Sequence, residues 1–472
     1  MLRISLSALV LLTVSTYAQV QPANAGPSPS AGKSVAVNTP DAPEPQGSGT
    51  QAQTAPGAPA AAGQSPSIPT PTPKPSSTQI TLEQALSLAL TNSPTILATR
   101  TTVPQSQAQE ITAGLRPNPV LAWDAQFIPI FSPGNFTQDF LNNAQQFDVG
   151  IGYLIERGHK RHARLQAARD ATSVTRSQVT DAERTLTFNV AQQFINALLA
   201  KSNLEFAQQD LASFQQTMNI SQERYRVGDI SEGDLLKIKI QFLQFQTDVA
   251  SAQIAKAQAL GSLRQLIGFQ SVPLDYDVAG DLEFQPLRAG RDDLQARALT
   301  ERPDLQAARQ GVTAAGSQVA LAKANGKQDL GTSFTFSHVS GASSSSVAFN
   351  IPLAIFDRNQ GEIARTRYAL TQAQLNEKAA EQTVMTDVSN AYDAAQTNQQ
   401  IVQLYLSGYL NQAQQSRDIS DYAYKRGAAT LLDLLDAERS YRSTQLSYRQ
   451  ALAAYMLSLE QLREAVGSRK LP

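Results

Sequence analysis

The chain has 472 residues, a formal net charge of −1 and no cysteine. Its length suffices for two or three domains or for one long repeated architecture, and its charge balance gives no electrostatic basis for nucleic-acid binding. The absence of cysteine excludes disulfides, thiolate metal sites, cysteine nucleophiles and a lipid-modified amino-terminal cysteine.

The amino terminus predicts export from the cytoplasm. Residues 1–18 contain one arginine, then an apolar run, then small residues, which is the pattern of a secretory signal peptide; a buried helix is the alternative. Residues 19–78 are rich in Pro, Ala and Ser and nearly uncharged, so we expect a disordered linker. No later stretch approaches the ~20 apolar residues of a membrane-spanning helix.

The folded part is predicted to begin with a helix capped by Thr81, with Glu83 and Gln84 in its first turn. Residues 89–94 read ALTNSP, and a related ALTERP follows at 298–303. This offset of 209 residues is the first sign of an internal duplication.

Two extended stretches follow in each half. Apolar residues alternate with polar ones there, which predicts strands with one apolar and one polar face. The alternating residues are Leu121, Trp123, Ala125 and Phe127, then Val149, Ile151 and Tyr153, and in the second half Phe334, Phe336 and His338, then Val347, Phe349, Ile351 and Leu353. The intervening segments, 128–145 and 340–346, are predicted to be exposed hairpin loops.

Long helical patterns follow the strands, over about 158–226 and 359–426, and shorter return helices are predicted over 231–268 and 430–467. A glycine lies at each turn, where a helix can stop with positive φ: Gly228 and Gly427, 199 residues apart. Thr430 and Asp433 predict a capping box at the second turn.

The repeated offsets divide the chain into two copies of one unit. We place the first repeat at 79–268, an irregular connector at 269–290 and the second repeat at 291–467. The last helix has the narrow apolar seam of a coiled coil, which suits a thin-walled assembly that is wet on both sides. The seam residues are Tyr441, Tyr448, Leu452, Tyr455, Leu459, Leu462 and Val466.

The strands of an exported chain without a membrane helix raise a geometric problem. Sheets span lipid only as closed barrels, and four strands are too few to close one. Three copies would supply twelve strands, so we expect a trimer.

The duplicated elements resemble the TolC family of outer-membrane efflux proteins, in the branch of the heavy-metal efflux channels CusC and CzcC. The resemblance covers about residues 81–467. It is carried by the two ALTxxP elements, the tips RYRVG (224–228) and YKRG (424–427), the segment TLLDLLDA (430–437) and the two LRxxxG helix ends.

This resemblance implies a mainly α fold with a small β part: duplicated coiled-coil hairpins and four strands per chain, forming a trimeric α-barrel and a 12-stranded transmembrane β-barrel. It also implies an outer-membrane location with a long periplasmic extension. The function it implies is an exit duct that is joined to a periplasmic adaptor and an inner-membrane pump. Outer-membrane lipid would then surround the barrel, and with no lipidated cysteine the barrel alone would anchor the chain.

The resemblance further assigns roles at the tips. Asp433 and Asp436 match positions that line the periplasmic aperture, whereas the first copy has Lys237 where the second has Asp436. Adaptor docking is carried over to Tyr225, Arg226, Gly228, Asp229, Tyr424, Lys425, Arg426 and Gly427. The alternatives are that Asp433 is a helix acid favoured by the dipole and that the basic residues form salt bridges between helices.

Nothing in the sequence predicts an enzyme, a cofactor or a metal site. His159 and His162 could share a helix face, but they lie among Lys160, Arg161 and Arg164, which disfavour a metal cation. Three functions stay open: a duct for small toxic compounds or metal ions, a duct for a type I protein secretion system, and a non-conducting helical spacer of the envelope.

Overall fold

The structure is a computed structural model that describes residues 78–126, 128, 130–143 and 145–470. The predicted signal peptide and the predicted linker up to residue 77 lie outside the described residues. Long helices dominate the described part, which confirms the predicted mainly α fold with a small β part. The helices are α1 (Leu82–Asn92), α2 (Pro94–Arg100), α3 (Thr102–Gly114), α4 (Gln138–Asn143), α5 (Lys160–Arg226), α6 (Glu232–Ile267), α7 (Arg291–Glu301), α8 (Pro303–Asn325), α9 (Gln360–Leu404), α10 (Leu410–Lys425) and α11 (Leu431–Val466). The strands are β1 (Gln79–Ile80), β2 (Val120–Gln126), β3 (Gln146–Ile155), β4 (Asp277–Val278), β5 (Leu330–Val339) and β6 (Ala342–Asn350).

Local sequence explains where the first helices begin. The Thr81 hydroxyl accepts the Gln84 backbone N–H at 3.3 Å, and the Gln84 side chain accepts the Thr81 N–H at 2.9 Å. The predicted cap is therefore confirmed as a reciprocal capping box. Pro94 and Pro303 are the first residues of α2 and α8, where proline loses no helical hydrogen bond.

Strands β2, β3, β5 and β6 form an antiparallel sheet in that order. Cross-strand partners lie on one face, and Leu121, Ile151, Phe334 and Val347 form one such row. A row on the other face contains Ala122, Gly150, Thr335 and Ser346. The predicted apolar and polar faces are confirmed. In the connector, β4 pairs in parallel with β1.

The second hairpin loop is shorter than predicted. Ser340 and Gly341 alone make the turn, with φ of 47° and 80°, the two positive values that a tight hairpin turn requires. Residues 342–346 pair with β5 and are not loop, because the ladder satisfies their backbone groups despite the weak strand propensity of serine. At the far end β6 stops at Asn350, so Ile351 and Leu353, which were predicted to belong to this strand, lie outside it.

The two long helices that run towards the tips differ. The first, α5, continues unbroken for 67 residues, on the order of 100 Å at 1.5 Å per residue. The second was predicted as one helix over 359–426, and this is wrong. A π-helical turn at Tyr405–Tyr409 separates α9 from α10, and Gly408 within it has φ 146°.

The apolar core is distributed along the helices. Leu86, Val190, Phe194, Leu263 and Ile267 form a cluster between α1, α5 and α6. A corresponding cluster in the second half joins α7, α8, α9 and α11 through Leu294, Leu305, Val384, Val388 and Leu462. Of the predicted seam, Leu452, Tyr455, Leu462 and Val466 are buried. None of the helices in the described residues is long and apolar enough to cross a bilayer.

Candidate functional site at the hairpin tips

The second tip (residues 424–430) is the turn between α10 and α11. Gly427 has φ 74°, which an L side chain rarely adopts, so the chain reverses there without strain. The Thr430 hydroxyl accepts the Asp433 N–H at 3.2 Å, and the Asp433 carboxylate accepts the Thr430 N–H at 3.0 Å. This confirms the predicted capping box. The Thr430 hydroxyl also donates to this carboxylate at 2.7 Å and thereby holds the pKa of Asp433 below its usual value.

The first tip (residues 225–231) repeats the turn with a different cap. Gly228 has φ 83°, and the Ser231 hydroxyl accepts the Asp234 N–H at 3.1 Å. That hydroxyl also donates to the Asp234 carboxylate at 2.9 Å, which lowers the pKa of Asp234. Lys237 lies 3.3 Å from Asp234 in a solvent-exposed ion pair.

The two tips of one chain contact each other through Arg224, close to the end of α5. Its guanidinium donates to the Tyr424 carbonyl at 2.7 Å and pairs with Asp229 at 2.6 Å. It also lies 5.2 Å from the centre of the Tyr424 ring. One cation therefore fixes the first turn and the end of α10 together.

Tyr424 lies between the hairpins. Its side chain is 3% exposed, and its hydroxyl is 3.2 Å from the Ser221 hydroxyl on α5. Beneath it, Phe214 and Phe245 stack with their centroids 4.6 Å apart. The other buried members of this cluster are Ile238, Leu431 and Leu434. The sequence placed Tyr424 among the docking residues, but the structure puts its ring inside the chain.

The other predicted docking residues are at or near the surface. Tyr225, Arg226, Gly228, Asp229, Arg426 and Gly427 are placed around the two turns, and Lys425 is half-buried. Lys425 pairs with Asp421 at 2.6 Å, and Arg226 pairs with Glu223 at 2.8 Å. These two cations therefore do form salt bridges, as the alternative expected, but each salt bridge lies within one helix and does not join two helices.

The two acids proposed to line the aperture lie on one side of α11. Asp433 and Asp436 are three residues apart, so they are neighbours on the helix surface, and both are exposed. Asp433 is engaged by its cap, whereas Asp436 forms no hydrogen bond or ion pair with the described part of the chain.

A buried charge network joins the two hairpins further from the tips. Arg442 on α11 pairs with Asp210 on α5 at 2.6 Å and with Asp248 on α6. Asp210 is 5% exposed, and its burial raises its pKa to about 6 despite the nearby Arg442. Burial also raises the pKa of Glu438 to about 7, and the Asp210 charge adds to that effect.

Comparison with known proteins now gives the family. A family model described as outer membrane efflux protein matches residues 85–269 and 294–468. The chain belongs to this family. It is an outer-membrane efflux protein, and its two matched segments follow the two halves described above.

Curated relatives of this outer membrane efflux protein include metal-resistance proteins. The chain is 24% identical over 380 residues to the cobalt-zinc-cadmium resistance protein CzcC of Cupriavidus metallidurans, covering 78% of this chain and 85% of that protein. It is 28% identical over 278 residues to the cation efflux system protein CusC of Escherichia coli K12, covering 55% of this chain and 59% of CusC. The predicted resemblance to this branch is confirmed.

Solved structures share the fold. A crystal structure of CusC superposes with a TM-score of 0.68 at 20% identity, covering 82% of this chain and 92% of CusC. The outer membrane protein VceC from Vibrio cholerae gives a TM-score of 0.66 at 19% identity, covering 82% and 96%. The CusC structures describe the formation of a transmembrane channel.

Sequence reasoning missed the buried network. Asp210, Asp248 and Arg442 lie on three helices and are far apart in the chain, so no local pattern joins them. Arg442 lies one residue after the predicted seam residue Tyr441, and its guanidinium lies 4.2 Å from the centre of the Phe245 ring. The sequence feature that could have indicated the network is this basic residue directly beside the apolar seam of the last helix.

Proposed function

We propose that three copies of this efflux protein assemble into the exit duct of a tripartite system, with a periplasmic adaptor and an inner-membrane pump. The duct exports small toxic compounds or metal ions from the periplasm. The observation that carries the proposal is the four-stranded sheet. It has one apolar and one polar face, and neither of its edge strands, β2 and β6, has a second partner strand among the described residues.

Such a sheet is incomplete in one chain. Backbone N–H and C=O groups at an edge must be paired in lipid, so β2 of one copy would pair with β6 of the next. Three copies would give twelve strands in a closed β-barrel. The row of Leu121, Ile151, Phe334 and Val347 would then face lipid, and the serine- and threonine-rich face would line a wet lumen.

The tips supply the opposite end of the duct. A threefold axis would place Asp433 and Asp436 of three chains around the aperture. An aspartate is ionised at neutral pH, and the cap lowers the pKa of Asp433 further, so the ring would attract cations and repel itself. The exposed residues Tyr225, Arg226, Asp229 and Arg426 would contact the adaptor, with Lys425, Gly228 and Gly427 shaping the turns. Tyr424 would act indirectly, by holding the two tips together.

The relatives favour metal ions among the possible exports, since both CzcC and CusC are named for metals or cations. The chain itself brings together no group of three or more metal-ligating side chains within the described residues. The export of small compounds therefore stays part of the proposal. A duct for type I protein secretion and a non-conducting spacer are the alternatives.

Planar-bilayer recording from purified trimers tests this function. The proposal expects stable channels that divalent cations block from one side. In D433A/D436A, block should weaken and conductance should change, because the aperture loses six carboxylates. The matched control is D292A/D293A, which removes two exposed acids from the first turn of α7 and should leave both quantities as in the parent.

The outcomes separate the hypotheses. Trimers without conductance would exclude a channel and favour the spacer. Channels whose cation block is the same in D433A/D436A as in the parent would show that these acids only cap α11. Identifying the pump that co-purifies with the trimer separates a duct for small molecules or ions from a protein secretion duct.

A further inference from the structure

The four long strands of the sheet have their helix-side ends at one edge. Val120 pairs with Gly152, Ile155 pairs with Leu330, and Gly331 pairs with Asn350. The start of β2, the end of β3, the start of β5 and the end of β6 therefore lie together. We call this the helix-side edge, because α3 and α8 lead into it and α5 and α9 begin beyond it.

In the part of the chain that forms the sheet, basic residues occur only at this edge. Residues 117–156 and 328–357, which include the four strands and the two far loops, contain no lysine or arginine. Directly outside those limits the chain has eight cations: Arg116, Arg157, Lys160, Arg161, Arg164, Lys323, Lys327 and Arg358. This abrupt change in charge coincides with the end of the apolar sheet face.

Most of these cations lack an acidic partner. Lys160 pairs with Asp329, and Arg164 pairs with Glu156, each at 2.7 Å. Arg161 donates to the Gly114 carbonyl at the end of α3. The remaining five, Arg116, Arg157, Lys323, Lys327 and Arg358, are exposed and form no ion pair with the described residues. Three acids, Glu156, Asp329 and Asp357, lie at the same edge, so the eight cations leave a positive excess of five charges there.

Apolar side chains lie beside these charges. After β6 the chain exposes Leu353 (79%), Ile355 (61%) and Phe356 (89%) immediately before Arg358. A cavity of about 660 Å³ opens here, with Leu154, Leu353 and Phe356 among its apolar lining. Its charged lining consists of Lys160, Lys327 and Arg358 together with the acids Asp329 and Asp357, and Asp329 is the partner of Lys160. That volume is within the range of small-molecule sites, ~300–1,000 Å³.

Two glycines allow close backbone packing at the charged side of the cavity. A Cβ at Gly158 would lie 2.6 Å from the Lys327 Cγ, and the φ of 69° there already disfavours a side chain. A Cβ at Gly326 would lie 2.6 Å from the Arg358 carbonyl oxygen. The backbone thus approaches closely enough to hold the Lys327 stem and the Arg358 segment in place.

We propose that this cavity and the cations around it bind the headgroup of an anionic phospholipid, such as phosphatidylglycerol, in the membrane leaflet nearest the helices. The phosphate would lie against Lys327 and Arg358, and the acyl chains would lie along Leu353 and Phe356. The site would lie at the level of the lipid headgroups, because the cations begin where the apolar sheet face ends. The inference requires the outer-membrane location but not any particular exported substrate.

Binding of defined lipids to the full-length trimer in detergent, measured by native mass spectrometry, tests the proposal. Phosphatidylglycerol should bind more tightly than phosphatidylcholine. In K327Q/R358Q the dissociation constant for phosphatidylglycerol should rise about 25-fold, at about fivefold per cation, with phosphatidylcholine binding unchanged. The matched control K239Q/K378Q removes two exposed cations from α6 and α9 and should behave as the parent.

The chain's single tryptophan shows whether the variant still inserts. Trp123 lies on the apolar sheet face, so brominated phosphatidylcholine should quench its fluorescence equally in the parent and in K327Q/R358Q. With insertion verified, equal phosphatidylglycerol affinity in parent and variant would overturn the proposal, as would an equal loss in the control. Displacement of the lipid by millimolar inorganic phosphate would also overturn it, since the site would then hold a soluble anion. Tighter binding of lipid A than of phosphatidylglycerol would refute the assignment to the helix-side leaflet.

Discussion

The helices of the two hairpins end at corresponding positions, but one long helix is continuous and the other is interrupted. In the first hairpin, α5 is continuous for 67 residues, whereas in the second a π-helical turn with Gly408 at φ 146° separates α9 from α10. Both return helices have 36 residues and end before a glycine of positive φ. The duplicated sequence therefore fixes where the helices end, while single residues decide whether each one is continuous.

The hairpins are also joined differently along their length. Near the tips, Arg224 and Tyr424 connect them through an aromatic and hydrogen-bonded contact. Further away, Arg442 connects them through the buried Asp210 and the half-buried Asp248. These two contacts lie at different places along the hairpins, so each can be broken by its own substitution.

The largest expected effect comes from removing the cation of the buried network. Arg442→Met leaves Asp210 and Asp248 without their partner, and such a change costs about 3–5 kcal/mol. Native-state hydrogen exchange of the α10 and α11 amides should report this loss as a lower free energy of local opening. The control is Arg439→Met on the same helix, where Arg439 is exposed and the change should stay within about 0.5 kcal/mol. Similar losses in the two variants would contradict the role of the network.

The next largest effect is that the stability contributed by this buried network depends on pH. Folded pKa values of about 6 for Asp210 and about 7 for Glu438 lie above the ordinary values of 3.8 and 4.5, so the packed state binds more protons than the open state. The stabilising contribution is therefore complete below about pH 4 and is lost as the pH rises to about 7. Its size is at most about 3 kcal/mol for Asp210.

Hydrogen exchange of α10, corrected for the intrinsic exchange rate at each pH, measures this dependence. Asp421, Asp248, Arg417 and Arg442 also act on these two groups, so the variant must leave them in place. Asp210→Asn does so, and it should flatten the pH profile between pH 4 and 6. A profile that rises with pH in the parent chain would have the wrong sign for this explanation.

A smaller effect is expected at the two caps. Thr430→Ala removes the hydroxyl that accepts the Asp433 N–H and donates to the Asp433 carboxylate, and it should destabilise the start of α11 by about 1 kcal/mol, within a range of about 0.5–2. Ser231→Ala removes a hydroxyl with the same two contacts to Asp234, so its effect on α6 should be similar. Exchange of the first-turn amides of each helix gives both values, and a loss at only one of the two helix starts would contradict this reading.

The smallest effect is expected at Lys237, which stands where the second copy has Asp436. Its ion pair with Asp234 is exposed, and such pairs contribute about 0–1 kcal/mol. Lys237→Ala should therefore leave the opening free energy of the first tip nearly unchanged. A large loss there would mean that this charge difference between the tips is structural rather than functional.

Local patterns in the sequence predicted the local features. Thr430 with Asp433 and Thr81 with Gln84 specified their caps because both partners of each capping box lie within four residues. Gly228 and Gly427 marked the turns because only glycine takes positive φ without strain. The alternation through Leu121 and Trp123 gave the faces of the sheet.

Features that depend on partners distant in sequence were not predictable in this way. Residues 342–346 are strand only because β5 lies beside them. Asp210, Asp248 and Arg442 meet only after three helices have packed. The break at Gly408 was missed because a single glycine is tolerated in many helices, and the surrounding pattern favours a continuous one.

The interruption at Gly408 has a mechanical consequence. Beyond it, α10 is a rigid rod of 16 residues, about 24 Å long at 1.5 Å per residue. A rotation of about 10° at the π-helical turn would carry the end of that rod sideways by about 4 Å, more than the radius of a water molecule. Small changes in a few backbone torsions around Gly408 would therefore produce a displacement of several ångströms at the second tip.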